Sequence, residues 1–216
     1  MKEERGRKAR PVRKSAADIF DKAAPFYFII DLLSASFIRE AVRRLPEHLD
    51  ITRDTKMIEV CCGTGLLSRY LSGLSDHVVG VDISPKMIAK AKRGAKTLPI
   101  DFKVMDASAL DFPDCSFNLV AISRGLHAMP GDLRDKVVAE VHRVTKSHAL
   151  FIEPIDRPKN RIFRAVYNVA ERLEGGFENY LEFVGMNFCE YLKHRGFLPE
   201  PILKKDTAAA YLCRKI

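Results

Sequence analysis

The sequence predicts an α/β fold: a seven-stranded, mostly parallel sheet with helices on both faces, closed by a C-terminal antiparallel hairpin. Three observations predict it. Short apolar runs alternate with helical segments through five units, the pattern of a parallel sheet covered on both sides. The first run, Met57 to Cys61, leads into the turn Cys62-Gly63-Thr64-Gly65 and then a helical stretch from Leu66 to Leu74. Acids recur in three successive strand regions, at Glu59, Asp82 and Asp106. Ligands in such sheets bind outside the carboxyl ends of the strands. Cys62, Asp82, Asp106 and Ser123 all fall there.

The chain has 216 residues, one domain by size and enough for a full core. Its formal net charge is +8, unevenly spread. Lys2, Arg5, Arg7, Lys8, Arg10, Arg13 and Lys14 stand against Glu3 and Glu4, a net +5 in the first fourteen residues (seven minus two). Residues 1–14 read as a disordered basic tail and 15–216 as the domain. Such a tail is either simply solvated or a tether to anionic lipid or nucleic acid. It is no signal peptide, and the apolar run behind it, Phe26 to Ile38, is interrupted by Asp31 and too short for a bilayer. The five cysteines are an odd number without metal-type spacing, and the histidines show no pairing, so a reduced cytoplasmic protein without a metal site is expected.

In chain order, Ser15 with Asp18 resembles a capping box, and helical segments cover about 16–45 until Pro46. Ala24-Pro25-Phe26-Tyr27 breaks them. This region, 15–46, is either a helix pair packed on the sheet edge or a lid over the site. His77 to Asp82 is the second strand. Ser84 and Pro85 cap a helix to about Arg93. Ile100 to Met105 and Phe117 to Ile122 are the third and fourth strands, joined through a turn at Phe112 to Ser116. Asp132 to Thr145 is a helix and Leu150 to Pro154 the fifth strand. Helices Arg161–Leu173 and Phe177–His194 follow, within a segment of about 158–196 that covers the substrate side. Gly196, Pro199 and Pro201 mark a turn, and Ile202–Lys205 with Ala208–Arg214 form the hairpin.

Gly63 and Gly65 let the backbone turn sharply against a ligand, and the helix start presents free N–H groups to it. Asp82, about 20 residues on, suits a ribose diol in any nucleotide-binding βαβ unit. Ser68 supplies the small third residue of the dinucleotide fingerprint, so the glycine pattern alone leaves dehydrogenases open. Glu59 inside the first strand and Asp106-Ala107 after the third point elsewhere: together with the glycine loop they resemble the S-adenosylmethionine site of class I methyltransferases.

The match narrows with Ile19-Phe20-Asp21, Ala24-Pro25-Phe26-Tyr27, Leu110-Asp111-Phe112-Pro113-Asp114, Ile122-Ser123-Arg124-Gly125-Leu126, Val141-His142-Arg143-Val144 and Thr207 to Leu212. These are similar to motifs of the ubiquinone/menaquinone biosynthesis C-methyltransferases. The resemblance implies a Rossmann-like class I methyltransferase fold and S-adenosyl-L-methionine as cofactor. It assigns Glu59 and the loop Cys62, Gly63, Thr64, Gly65 to the methionine part, with Cys62 acting through its backbone. Asp82 takes the ribose hydroxyls beside Ile83 and Met87, and Asp106-Ala107 the adenine edge. Tyr27 and Ser123 are further cofactor contacts. The chain departs from the family at Cys61 and Cys62 in the loop, at Leu66, at Phe28 after the motif tyrosine, and at His127-Ala128 after Gly125-Leu126.

A methyl transfer to a phenol or hydroquinone needs loss of a proton from a group with pKa near 10. His127, just past the fourth strand, is the candidate base, or else a histidine packed beneath the loop. Arg124 is a candidate for holding an acceptor oxyanion or the cofactor carboxylate, or else it points to solvent. The expected acceptor is a small, apolar or aromatic molecule. A lipid amine, or RNA or protein reached through the tail, are alternatives, as is a cofactor-binding domain without turnover; the intact acids and glycines argue against the last.

Overall fold

The computed structural model describes residues 14–24, 27–161, 164, 168 and 176–216. The expected tail, the Pro25-Phe26 break and most of the helix expected over Arg161–Leu173 lie outside the described residues.

Parallel strands β1 (Met57–Val60), β2 (Val78–Asp82), β3 (Ile100–Val104), β4 (Phe117–Ser123) and β5 (Thr145–Pro154) make the body of the sheet. The hairpin β6 (Phe197–Lys205) and β7 (Ala208–Lys215) completes it, in the order β3-β2-β1-β4-β5-β7-β6. β7 runs antiparallel to β5, with Phe151 opposite Tyr211. β1 lies at the centre, Ile58 pairing with Val79 on one side and Val120 on the other. The order reverses direction there, which opens a crevice at the carboxyl ends of β1 and β4.

Successive strand side chains point to opposite faces, and the two faces build two cores. Ile58, Val60, Val120, Ile122 and Phe151 pack on one face with Val137 and Val141 of α5 (Gly131–Val144). Phe183 of α6 (Phe177–Gly185) and Phe188 of α7 (Phe188–Lys193) join that core. Met57, Leu119, Ala121 and Leu150 pack on the other face, against Phe37, Ala41 and Leu45 of α2 (Tyr27–His48) and Leu67 and Leu71 of α3 (Leu66–Leu71). Helix α4 (Pro85–Gly94) covers β2 and β3, and the short α1 (Lys14–Ala23) lies against α4.

Several boundaries differ from the sequence expectations, each for a local reason. Helix α1 begins at Lys14, which puts Ser15 in its first turn rather than at its cap. Pro46 does not stop α2, which runs to His48 with Pro46 inside it. A proline in the last turn removes one ladder bond, and Leu49 N–H still donates to Leu45 O at 2.9 Å. The expected helix over Phe177–His194 is two helices. Gly185 weakens the first, and Asn187 caps the second by accepting from Glu190 N–H at 3.2 Å. β5 starts at Thr145, earlier than expected, as Thr145 pairs with Phe117. β6 starts at Phe197, so Pro199 and Pro201 sit inside a strand. That is tolerated because β6 is the sheet edge.

Candidate functional site

The chain leaves β1 through a loop with two forced turns. Gly63 has φ +52° and Gly65 φ +74°. A Cβ on Gly65 would lie 2.7 Å from the Phe102 ring, so the left-handed turn and the packing beneath it both demand glycine. Cys61 (φ +59°) and Arg124 (φ +56°) are left-handed without being glycine. Such conformations are costly and concentrate at functional sites. Both line the cavity, and a Cβ on Gly125, next to Arg124, would come within 3.0 Å of Cys61 Cβ.

Asp82 ends β2 and holds this loop from the side. Its Oδ2 accepts from Gly63 N–H at 2.8 Å and its Oδ1 from Ser84 N–H at 2.9 Å. Burial pushes its carboxyl above the usual aspartate range, and the Ser84 and Gly63 donors pull it back. An ionised carboxylate has about four acceptor sites, so the pair of backbone bonds leaves capacity for two hydroxyls. Asp106 is similar: its Oδ1 accepts from Ser108 N–H at 2.8 Å and Ser108 Oγ at 2.7 Å, and no described residue donates to Oδ2.

Between these acids lies a cavity of about 320 Å³, within the roughly 300–1,000 Å³ usual for small-molecule and cofactor sites. Of the residues expected there, it brings together Tyr27, Gly63, Asp82, Ile83, Met87, Asp106, Ala107 and Arg124. Glu59, Cys62, Thr64 and Ser123 face a smaller adjoining recess instead. At about 30 Å³ the recess holds roughly one water. Tyr27, Cys61, Gly63 and Arg124 border both spaces. Gly65 borders neither; its part is the turn.

Glu59 Oε2 accepts from both Ser68 N–H, at 2.7 Å, and Ser68 Oγ, which tacks β1 to α3. Burial raises its pKa to about 8 against the opposing Ser68 bonds. Oε1 takes no bond from a described residue. Ser123 Oγ is buried at the same recess without a hydrogen-bond partner. Burial also raises the Cys61 and Cys62 thiols well above their ordinary value, so neither is a ready thiolate.

Two helices latch over the loops. Asp31 of α2 accepts from Thr64 Oγ1 at 2.6 Å, and Asp21 of α1 accepts from Ser84 Oγ and from Lys86 N–H at 3.2 Å. Lys90 Nζ donates to Ala24 O. Both helices thus touch loops at the cavity, while Phe37, Ala41 and Leu45 of α2 pack in the core. Sequence reasoning missed these aspartates as site residues, although Asp31 was visible as the acid that interrupts the apolar run Phe26 to Ile38.

The far wall is built differently. Glu153, near the end of β5, accepts from Gly125 N–H at 3.0 Å and Leu126 N–H at 2.9 Å through Oε1. Its Oε2 lies 2.7 Å from His127 Nδ1. His127 is about 1% exposed, and its ring meets Tyr180 and Phe183 edge-on. It is not among the residues that line the cavity. Buried Arg134 of α5 supports the same loop, donating to Leu126 O at 3.3 Å and Met129 O at 2.9 Å. Sequence reasoning placed Glu153 in a strand and gave it no role in the site, yet it carried the same signal as Asp82: an acid closing an apolar strand.

Comparison with known proteins agrees with this geometry. A methyltransferase-domain family model matches residues 57–148. The chain is 29% identical over 207 residues to a demethylmenaquinone methyltransferase of Chlorobaculum tepidum, covering 92% of this chain and 81% of that protein. It is 34% identical over 153 residues to one of Renibacterium salmoninarum, covering 70% and 63%. The chain is a class I S-adenosylmethionine-dependent methyltransferase. Among solved structures, the fold is shared with a DhpI–SAH complex, at a TM-score of 0.68 and 18% identity over 96% of this chain and 98% of that one. Magnesium protoporphyrin IX methyltransferase from Synechocystis PCC 6803, solved with bound SAM, shares it at a TM-score of 0.67 and 13% identity, over 98% and 100%.

The methyltransferase site suits its cofactor on its own terms. Asp82 and Asp106 keep acceptor capacity for hydroxyls and an amine edge, the cavity has the right scale, and the orphaned Ser123 Oγ with Glu59 Oε1 offers partners at the recess. The Asp31–Thr64 bond borders the recess on the α2 side.

Proposed function

We infer that this methyltransferase acts on a small apolar or aromatic acceptor of the phenol or quinol class. The observation that carries the reading is the wall of the cavity beyond the strand-end acids. Ile19 and Phe20 of α1 and Met129, Leu133 and Val137 on and before α5 make it apolar, and Arg124 stands beside them as its cation. A flat ring fits such a wall, and a charged acceptor would lose hydration there without a matching set of partners.

The cofactor, when bound, supplies a sulfonium methyl group open to in-line displacement. Asp82 would accept hydrogen bonds from the ribose hydroxyls, Asp106 and Ala107 would hold the adenine edge, and Glu59 and Ser123 would hold the amino-acid end. Tyr27 and the Gly63 backbone border both spaces and would position the methyl group against the acceptor. Positioning of this kind is worth about 7–11 kcal/mol in well-oriented pairs. Arg124 would stabilise the anion of a nearby phenol and lower its pKa, so that the phenol proton passes to water in the open cavity and the ring becomes nucleophilic. His127 holds the loop that carries Arg124 and takes no proton from the acceptor.

The similarity to demethylmenaquinone methyltransferases supports the same class of acceptor. The test is turnover by the purified enzyme against a panel of quinols, simple phenols, phospholipid amines and tRNA. Methylation of a quinol or phenol is expected. Turnover confined to tRNA would remove the small-molecule reading.

A further inference from the structure

Helix α2 has 22 residues, and among the described residues its outer face is left exposed. At about 100° per residue, Phe28, Leu32, Ala35, Arg39, Arg43 and Pro46 fall within an arc of about 80°. The opposite side holds Phe37, Ala41 and Leu45, which are buried in the core. On the outer arc Phe28 is 62% exposed and Leu32 77%. Isolated apolar residues at a surface need no explanation, but two large ones a turn apart on one face of one helix do.

The other end of the same arc is cationic. Arg39 and Arg43 are exposed, and no acid lies between Phe28 and Pro46 on that arc. Glu40 and Glu47 lie off it, Glu40 in a pair with Arg44, and Asp31 is turned inward to Thr64. Apolar residues followed by cations along one face, on a helix otherwise packed on its own domain, suit a surface that is both greasy and negatively charged. The net +5 of the first fourteen residues, counted above, brings more charge of the same sign to this end of the chain.

The face also adjoins the cavity. Ile19, on the preceding helix, lines the cavity and is itself 37% exposed, so it stands at the rim; Tyr27, which starts α2, lines the cavity next to Phe28. Among the described residues no helix is long and apolar enough to cross a membrane, so contact with a bilayer would be made at its surface.

We propose that the outer face of α2 is a docking surface for an anionic lipid bilayer, with Phe28 and Leu32 entering the headgroup boundary and Arg39 and Arg43 meeting lipid phosphates. The cavity rim then faces the membrane, and an apolar acceptor reaches it without crossing water. The docking stands apart from the acceptor assignment, because it is read without turnover.

The experiment is sedimentation of the full chain with vesicles of phosphatidylcholine and phosphatidylglycerol in equal parts, and with phosphatidylcholine alone. Wild type is expected to pellet with the anionic vesicles and less with the neutral ones. Phe28→Gln with Leu32→Gln should lower partitioning about tenfold or more, since two large side chains no longer leave water. Arg39→Glu with Arg43→Glu should remove the preference for anionic lipid. Unchanged melting temperature and S-adenosylhomocysteine affinity show that both variants are folded. Three results would overturn the proposal. One is anionic pelleting that survives Phe28→Gln with Leu32→Gln, and another is equal binding to both vesicle types. The third is a wild-type dimer without vesicle binding that the glutamine pair dissociates, which would make this face a contact between two copies.

Discussion

The acids on the two sides of β1 serve the same crevice in opposite ways. On the β2 and β3 side, Asp82 and Asp106 tie down a loop with part of their acceptor capacity and present the rest to the cavity. On the β4 and β5 side, Glu153 directs both oxygens into the protein, to Gly125 N–H, Leu126 N–H and His127. It shapes the wall without being part of it. A strand-end acid is therefore a ligand contact or a loop clamp, and the number of protein donors around it decides which. The cofactor half of the site is accordingly generic, while the acceptor half is a particular backbone shape held in place.

If that contrast is right, removing the clamp has the largest effect. Glu153→Ala strands the Gly125 and Leu126 N–H groups and His127, and each buried polar group left unsatisfied costs about 1–3 kcal/mol. Denaturant unfolding should show that loss. Bound S-adenosylhomocysteine would restore only a part of it. An unfolding free energy within 1 kcal/mol of wild type, by contrast (about the worth of one ordinary hydrogen bond), would mean that the loop holds its shape unaided.

Glu59 sharpens the contrast through pH. Its folded pKa is raised from 4.5 to about 8 by burial. The native state therefore keeps a proton that the unfolded chain releases above about 4.5. Its contribution is fully present below that pH and is lost as pH rises towards about 8, with Asp82 and Asp31, also raised by burial, acting in the same sense. Glu59→Gln preserves an acceptor for Ser68 and cannot ionise. It should flatten the stability profile and exceed wild type by about 2–4 kcal/mol near pH 9. A wild-type stability that climbs between pH 5 and 8 would contradict the raised pKa.

On the cofactor side the effects should be confined to binding. Asp82→Ala removes an acceptor for two hydroxyls, and S-adenosylhomocysteine affinity should drop by about 1.5–3 kcal/mol, the scale of hydrogen bonds to a charged group. Calorimetry measures this directly. Tighter binding of NAD than of S-adenosylhomocysteine would undo the whole reading of the site.

The two halves were also unequally legible. The alternation of strands and helices, the Gly63 and Gly65 turn and the acids at Asp82 and Asp106 are local signals, and the structure puts each where the spacing implied. Long-range choices were not visible. Nothing in Phe151-Ile152-Glu153 says that the carboxylate turns towards a loop 26 residues earlier in the chain, and nothing near His127 reveals the ring packed between Tyr180 and Phe183. Pro199 and Pro201 read as a turn because their tolerance in a strand depends on β6 being the edge, a property of the sheet and not of the segment. Gly185 and Asn187 did carry a local signal for the break between α6 and α7, overridden by the continuous apolar pattern around them.

His127 is where the two descriptions of the acceptor half give different numbers. As a general base it would touch the acceptor, and any substitution would lower kcat by about 10²–10⁴. As a support for the loop it acts through Glu153, and what matters is a donor at the position of Nδ1. His127→Asn keeps such a donor, because the asparagine Nδ2 can reach roughly where Nδ1 stood; His127→Ala does not. The expected pattern is a lowered melting temperature and kcat for His127→Ala, with both largely recovered in His127→Asn, kcat lying within about tenfold of wild type (~1.4 kcal/mol). S-adenosylhomocysteine affinity should stay near wild type in both, since Asp82 and Asp106 are untouched. An asparagine variant that melts like wild type but stays a hundredfold slow would put the proton back on His127, and the β4 loop would then have to open far enough for a buried ring to reach the acceptor.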